Sequence, residues 1–436
     1  MALGGGTFTS QNKVLPGSYI NFVSVSAASP TLSDRGTAAM PLELNWGTDN
    51  EIFTVTQEDF QKNSLKIFGY EYTADELKGL RDLFLNTKTL YAYKLTSGGN
   101  KASNTFATAK HCGTRGNDLK IVISANADTD SNFDVSTYLN TSVVDKQINV
   151  SAAKDLIDND FVEFNKSAEL TVTAGMPLTG GTNGTVDGNA HQKFINLIES
   201  YSFNTLGAAV ADETTKKLYT AFTKRMRDDV GLKFQTVLYN CKADYEGVIN
   251  VKNKVTDSGA NEASLVYWVT GAECACAVNS SVTNKTYDGE FTVFADYTQS
   301  DLEKAIKNGE FTFHKVGNDI NVLTDISSLT TLTEDKNELF QSNQTVRVCD
   351  QIGNDIAVLF NTKYIGKIPN DKSGRVSLWT DITKYMKELL SLRAIEDFTD
   401  DDVTVSEGQS KKAVVVDAKI TVVNAMEKLY MTVRVA

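Results

Sequence analysis

Hydrophobic positions along the chain switch repeatedly between the spacing of a helix and the spacing of a strand. An apolar stripe after Asp75, with Thr73 as the predicted N-cap, indicates a helix, and the alternation over residues 90–95 indicates a strand. Further helices are predicted over residues 191–201, 213–229 and 260–277, from a capping box at 300–303, and over 346–360 and 378–392. With another strand at 234–239, this order predicts a mainly parallel sheet.

Residues 96–185 differ from the flanking stretches because glycine, asparagine, aspartate, serine and threonine become more frequent. Short β-rich runs follow one another here at 119–123, 133–135, 144–150, 161–164 and 170–172. This spacing is typical of a small antiparallel β domain. Because the region lies between two α/β stretches, we interpret it as an insertion.

Both ends of the chain contain extended apolar segments. Residues 19–25 can form a strand, and residues 413–423 and 429–435 are predicted as two long strands after a solvated turn at 400–402. The last strand holds one arginine and no proline, so it has few of the features that prevent pairing with another molecule. The terminal strands either add to the sheet of a neighbouring molecule or pair inside their own subunit, and the pattern alone favours neither.

Length and composition indicate a folded protein of two to four domains. The 436 residues are 41% hydrophobic and carry a net charge of −12, which disfavours direct binding to nucleic acid or to anionic lipid. The sequence lacks an apolar stretch of about 20 residues and the pattern of a signal peptide, so we expect folding in the cytoplasm without membrane insertion. The five scattered cysteines are then expected to be free buried thiols.

The sequence offers no constellation that predicts catalysis. None of the three histidines has a second histidine at helical metal spacing, and Cys274 and Cys276 have no second cysteine pair to complete a zinc site. The loop at residues 180–184 lacks the Lys-Ser/Thr of a phosphate-binding loop, so a tight turn with positive φ is the favoured interpretation. We therefore expect no catalytic residue, no metal and no cofactor.

Several segments resemble contractile tail sheath proteins of phages and related bacteriocins, above all the short sheaths of phages and defective prophages of Gram-positive bacteria. The segments that carry the resemblance are residues 1–20, 178–184, 203–206, 267–272, 279–289, 317–324 and 426–433. Asn183 stands where the family's L-x-G-G-x-D-G motif has aspartate, Thr270 replaces the alanine of W-V-A-G, and Val322 replaces a usual threonine. The resemblance keeps the family's order and is weakest over residues 96–185.

This resemblance implies a structural protein that assembles with copies of itself, and not an enzyme. Subunits of the family form hexameric rings stacked helically around an inner tail tube, with a baseplate and a tail terminator as further partners. Terminal strands insert into the sheets of neighbouring subunits, and contraction drives the tube through the target cell envelope. The resemblance also implies a place in the virion after assembly in the bacterial host cytoplasm, without direct contact to nucleic acid or membrane.

Pattern and resemblance together predict an α/β and α+β multidomain protein. The predicted parts are an N-terminal arm at 1–25, a discontinuous central α/β domain at 26–95 and 186–335, an inserted outer antiparallel β domain at 96–185, and a C-terminal α/β domain at 336–436 that faces the tube and ends in a strand arm at 426–436. The assembly arms are predicted at Tyr19, Ile20, Phe22, Val23, Leu429, Tyr430, Met431, Val433 and Val435.

A helix near Lys384, Lys387, Glu388 and Arg393 is the candidate contact with the tube, and a merely solvated helix face is the alternative. Other functions stay open at this point. A headless R-type bacteriocin or another contractile injection device would use the same kind of subunit. A self-assembling surface-layer protein predicts a secretion signal, and a cytoplasmic α/β enzyme that uses the glycine loop predicts a discrete oligomer.

Overall fold

The computed structural model describes residues 32–129 and 131–435. Residues 37–94 contribute three strands to a seven-stranded sheet. The elements of this stretch are β1 (Thr37–Leu42), β2 (Ile52–Thr56), α1 (Gln57–Phe68), α2 (Lys78–Phe84) and β3 (Thr89–Lys94). The helix predicted after Asp75 is present as a 3₁₀ turn, Asp75–Leu77, that leads into α2. Thr73 is not its N-cap, because Ala74 occupies that position without a side-chain hydrogen bond.

Residues 101–177 form two antiparallel sheets. Their strands are β4 (Lys101–Ser103), β5 (Ala107–Cys112), β6 (Leu119–Ala125), β7 (Phe133–Leu139), β8 (Ser142–Val150), β9 (Val162–Phe164) and β10 (Thr173–Pro177). The strand orders are β4-β5-β9 and β10-β6-β7-β8. This confirms the predicted antiparallel β region, although its last strand begins at Thr173 and not at residue 170.

The chain then returns to alternating helices and strands. The elements are α3 (Gly188–Ile198), β11 (Thr205–Ala208), α4 (Glu213–Lys224), β12 (Gln235–Tyr239), β13 (Val248–Val251), α5 (Leu265–Ala275), α6 (Gln299–Lys307), β14 (Glu310–Phe311), β15 (Phe313–Val316) and β16 (Asp319–Val322). Helix α4 continues as a π-helical turn, Arg225–Val230. The capping box of α6 consists of Thr298 and Asp301, two residues before the predicted start at 300.

Seven strands form one sheet in the order β14-β13-β12-β11-β1-β3-β2. All neighbours in it are parallel except β2 and β3. Strand β1 lies between β3 and β11, with Ala38 opposite both Leu90 and Thr205. The sheet therefore joins chain segments from both sides of residues 101–177, and the predicted mainly parallel α/β sheet is confirmed.

Both faces of this sheet are buried. Along β12, Val237 packs into a core with α5, whereas Leu238 packs into a second core with α3 and α4. A parallel strand covered on both faces reads as a continuous apolar run, which is why residues 234–239 could be recognised in the sequence. None of the helices in the described part of the chain combines the length and apolar character that a membrane crossing requires.

The C-terminal part contains two long helices and four short strands. They are α7 (Asn343–Leu359), α8 (Lys372–Ser391), β17 (Ile395–Glu396), β18 (Val403–Glu407), β19 (Val414–Ala418) and β20 (Thr421–Val422). Strand β18 pairs with β19, and β17 pairs with β20, both antiparallel. The predicted long strand at 413–423 is thus two short strands in different sheets, and residues 429–435 form no strand within the described chain.

The chain divides into two compact units. One contains residues 355–391 and 397–420, and the other contains residues 33–354, 392–396 and 421–435. The boundaries of the predicted arm and the three predicted domains stay predictions.

Candidate assembly site in the C-terminal part of the chain

The tail segment, residues 428–435, extends into solvent without a partner among the described residues. Its apolar side chains are 70–93% exposed. They belong to Leu429, Tyr430, Met431, Val433 and Val435. A row of exposed apolar side chains is typical of a surface that another molecule covers, and the role of these residues as an assembly arm stays a prediction. The other predicted arm residues, Tyr19, Ile20, Phe22 and Val23, lie outside the described residues.

The residues directly before the tail segment are fixed by hydrogen bonds. The Glu427 carboxylate accepts hydrogen bonds from the hydroxyls of Thr283 (2.7 Å) and Thr324 (3.0 Å). The backbone N–H of Ala425 donates to Gln344 Oε1 at 3.0 Å. Because the hydrogen bonds stop at Glu427, the tail segment leaves the larger unit from a fixed point.

The β18–β19 hairpin has the properties of a strand acceptor. Two-stranded sheets are marginal in water, and Val415 and Val416 of β19 are exposed. The Trp379 indole donates from Nε1 to the carbonyl of Val403 at 2.9 Å, so α8 lies against the β18 side. Strand β19 pairs with β18 alone among the described strands, which leaves its outer edge open.

An apolar groove lies beside the start of β19. It has a volume of about 430 Å³ and includes Phe360, Ile365, Ile368 and Val414 in its lining. The Asn370 side chain donates from Nδ2 to the carbonyl of Ala413 at 2.8 Å and so fixes the entry of β19 at the groove. Apolar side chains of an added strand would be shielded from water there.

The candidate tube-contact residues divide between two places. Lys384, Lys387 and Glu388 lie on α8, and Lys387 forms an ion pair with Asp400 at 2.7 Å. Arg393 lies beyond the last helical residue and has a φ of 59°, so it does not belong to the helix face on which it was predicted. Their role stays a prediction.

The glycine loop at 180–184 is a tight turn that is hydrogen-bonded to other parts of the chain. Gly180 has a φ of 83°, which confirms the tight turn with positive φ. The N–H groups of Gly181 and Gly184 donate to Asn117 Oδ1 (2.8 Å) and to the Thr96 carbonyl (2.7 Å). A Cβ on Gly184 would lie 2.0 Å from the carbonyl oxygen of Ser97. The N–H groups that could bind phosphate are therefore already engaged.

The hydrogen bonds of the Asn183 side chain account for asparagine at a position where the motif has aspartate. Its Oδ1 accepts from the N–H of Thr114 at 3.0 Å, and its Nδ2 donates to Asn45 Oδ1 at 2.8 Å. An aspartate could accept the first hydrogen bond but could not donate the second. The amide therefore matches the partner that Asn45 presents in this chain.

A buried ionic cluster links α5 and α7 and was not predicted. Arg347 donates from Nη2 to Glu273 Oε2 (2.6 Å) and to Asp325 Oδ2 (3.2 Å), and all three side chains are almost fully buried. Burial, with a contribution from Asp325, raises the pKa of Glu273 to about 8. The one signal in the sequence was Glu273 itself, a charged residue in an otherwise apolar helix.

The remaining groups of chemical interest are separate from one another. The buried His191 shares a hydrogen bond with the Tyr219 hydroxyl at 2.7 Å, and burial lowers the pKa of His111 to about 4. The five cysteines are free, and three of them are buried. In the two described ranges no group of three or more His, Cys, Asp or Glu side chains could hold a metal ion.

Models of known protein families match nearly the whole chain, from residue 35 to residue 436. Four models match in order: the tail sheath protein Gp18 domain III N-terminal region (35–95), the phage tail sheath protein beta-sandwich domain (94–183), the phage tail sheath protein central domain (184–328) and the phage tail sheath C-terminal domain (335–436). A sheath tail protein from Desulfitobacterium hafniense is 37% identical, with a TM-score of 0.83 over 95% of this chain and 99% of that one. The chain belongs to the phage tail sheath protein family.

Two further similarities extend the comparison. The phage-like element PBSX protein XkdK of Bacillus subtilis is 33% identical over 99% of this chain and 100% of its own length. The helical sheath of the anti-feeding prophage in its contracted state is 12% identical with a TM-score of 0.58, over 97% of this chain and 99% of that one, which shows a shared fold. As a family member, the protein is a structural subunit of a contractile tail sheath, and sheath proteins of phages are virion components.

Proposed function

We propose that this subunit polymerises by strand exchange, in which the tail segment of one subunit adds to the open edge of β19 in a neighbour. The observation that carries the proposal is that one chain contains both an extended segment and a strand edge that lack a hydrogen-bonding partner among the described residues. The tail segment is exposed and unpaired among the described residues, and the β18–β19 hairpin has an open edge. Addition of a strand would satisfy the backbone groups of both.

Side-chain alternation gives the added strand two different faces. In an extended tail segment, Leu429, Met431 and Val433 lie on one face and Tyr430 on the other. The apolar groove beside β19 suits one of these faces. Backbone hydrogen bonds would supply the linkage, and the apolar side chains would set the register, since a shift by one residue exchanges the two faces.

The proposed assembly is a set of hexameric rings stacked helically around an inner tail tube. The tail segment and the hairpin are different surfaces, so each contact is heterologous and repeats into an open helix. A baseplate begins the assembly and a tail terminator ends it, in the cytoplasm of a bacterial host. The proposal needs no catalytic residue, cofactor, nucleic acid or membrane insertion, and it applies equally to a phage and to a headless contractile device.

Contraction would use energy stored during assembly. The extended sheath would be a kinetically trapped state, and a trigger at the baseplate would release it to a contracted state of lower free energy. Subunits would move largely as rigid bodies while the exchanged strands keep them connected. The tube would thereby be driven through the envelope of the target cell.

The proposal assigns roles to two further surfaces of the subunit. The antiparallel sheets within residues 96–185 would lie on the outside of the sheath. Lys384, Lys387 and Glu388 on α8 would face the tube, with Lys387 partly neutralised by Asp400. A charge reversal at Lys384 should weaken co-sedimentation with purified tube protein without affecting tubes that the sheath subunit forms alone.

Electron microscopy of the purified protein tests the strand exchange. We expect hollow tubes from the full chain and none from variants that lack residues 1–20 or 426–436. A variant with deletions only in the loop at 127–129, far from the proposed contacts in sequence, should still form tubes. Discrete particles of the same size from all of these proteins would contradict the proposal.

A further inference from the structure

A concave surface rich in lysine lies between α4 and the residues that follow β12. This lysine groove has a volume of about 640 Å³, within the range of ligand-binding clefts. Its charged lining consists of Lys216, Lys217, Lys224, Lys242 and Glu213. The charged lining of the groove, with four lysines and one glutamate, has a positive net charge, whereas the chain as a whole carries a net charge of −12.

Two of the four lysines have no counter-ion among the described residues. Lys216 is buried and donates to Glu213 at 2.5 Å, so its charge is neutralised locally. Lys217 and Lys224 are exposed and form no ion pair with a described residue, whereas Lys242 forms a long ion pair with Glu310 at 3.8 Å. The ammonium of Lys224 lies 5.1 Å from the centre of the Tyr245 ring, which holds it at the groove.

The chain also carries a preformed acidic turn, residues 397–402. Thr399 and Asp402 form a capping box that fixes its conformation, and Asp400 is paired with Lys387. Asp397 and Asp401 are exposed and form no ion pair with a described residue. The turn therefore presents two uncompensated carboxylates on a rigid backbone.

We propose that the lysine groove of one subunit binds the acidic turn of a neighbouring subunit. Identical chains with a net charge of −12 repel one another, so a local region of opposite charge would favour a contact between copies. The groove and the turn are different surfaces of one chain, which makes the contact heterologous. The inference rests on the proposed self-assembly, but it does not involve the tail segment.

Charge reversal and its rescue test this contact. The variant Lys217→Glu, Lys224→Glu, Lys242→Glu should raise the protein concentration needed for tube formation by roughly tenfold or more, since three positive charges of the groove become negative and repel the acidic turn. The variant Asp397→Lys, Asp401→Lys should have a similar effect. Combining the two sets should restore assembly to near the original concentration, and added salt should weaken the original contact.

Matched controls separate the possible failures. The variant Lys193→Glu, Lys304→Glu, Lys307→Glu has the same change in net charge on other exposed helix positions and should assemble normally. Milder Lys→Gln replacements in the groove should give a smaller loss, and thermal unfolding checks that all variants fold. Unimpaired tubes from the groove variant, or a combined variant without rescue, would overturn the contact. Failure of the unaltered protein to form tubes would instead contradict the proposed function.

Discussion

Strand β12 and the tail segment have a similar, mainly apolar composition and opposite environments. Thr236-Val237-Leu238 of β12 is completely buried between two parallel neighbours, whereas Leu429-Tyr430-Met431 of the tail segment is almost completely exposed. Both runs have the β-forming composition of strands. A local pattern therefore specifies that a segment is extended, but it does not specify whether the partner comes from the same chain or from another copy.

The difference has a physical origin in what surrounds each segment. Helices α3, α4 and α5 cover both faces of the seven-stranded sheet, so β12 contributes to stability as soon as one chain folds. The tail segment has no such cover among the described residues, so its apolar surface would contribute free energy only on assembly. Substitutions in the two regions should consequently separate folding from assembly, and four predictions test this.

The largest effect on folding is expected at Trp268. Its ring packs against Tyr287 and Phe313, and its Nε1 donates to Asp288 at 2.7 Å. Trp268→Ala should lower the free energy of unfolding by about 3–5 kcal/mol, because a large cavity is left in the core. Denaturant unfolding measures this, and a change below about 1 kcal/mol would contradict the assignment of Trp268 to the main core.

The second prediction concerns the buried Glu273 in the same core. Arg347, Asp325 and the guanidinium of Arg35, which donates to the Glu273 carbonyl, are the charged groups around it. Burial raises the pKa of Glu273 from 4.5 to about 8, so the folded state retains a proton that the unfolded state has lost. The free energy of unfolding should therefore fall as pH rises towards 8, by at most about 1.4 kcal/mol per pH unit.

The window from about pH 7.5 to 8 isolates this effect, because the histidines, with an ordinary pKa of 6.5 that burial lowers further, are then largely neutral in both states. Glu273→Gln imitates the protonated acid and should flatten the pH dependence of unfolding. Equal slopes for the variant and the unaltered protein would show that Glu273 is ionised in the folded state.

A smaller effect is expected at the start of α6, on the surface of the larger unit. Thr298 accepts a hydrogen bond from the N–H of Asp301, and Asp301 accepts one in return from the N–H of Thr298. Thr298→Ala should cost about 1 kcal/mol of unfolding free energy through loss of the cap. Ser300→Ala, two residues later and without a capping hydrogen bond, is the matched control and should be neutral within about 0.5 kcal/mol.

The sequence was sufficient to predict the helices and strands with a regular apolar spacing. It was not sufficient to predict features formed by residues far apart in the sequence. The parallel sheet and the long helices were predictable because their apolar spacing is local, as in 234–239 and 346–360. Glu273, Asp325 and Arg347 meet only after folding, so no spacing could announce their cluster. Thr73 and Ser300 were assigned as helix starts because composition alone does not decide which neighbouring polar residue reaches a free N–H.

The smallest effect on folding, and a large one on assembly, is expected in the tail segment. Leu429→Ser combined with Val433→Ser removes apolar surface from one face of the extended segment. The free energy of unfolding of the single subunit should change by less than about 0.5 kcal/mol, because both side chains are exposed. Tube formation should weaken, because burying those two side chains on assembly would contribute about 1.5–3 kcal/mol each.

Thr432→Ser, on the opposite face of the same segment, is the matched control, since it keeps the backbone and removes a single methyl group. Sedimentation of assembled tubes and denaturant unfolding of the dilute subunit should be compared on the same three proteins. If the double variant lost folding stability, the tail segment would pack within its own subunit and the contrast with β12 would fail. If it lost neither stability nor assembly, strand exchange would not use this face, since apolar side chains that bind a neighbour cannot be replaced by serine without cost.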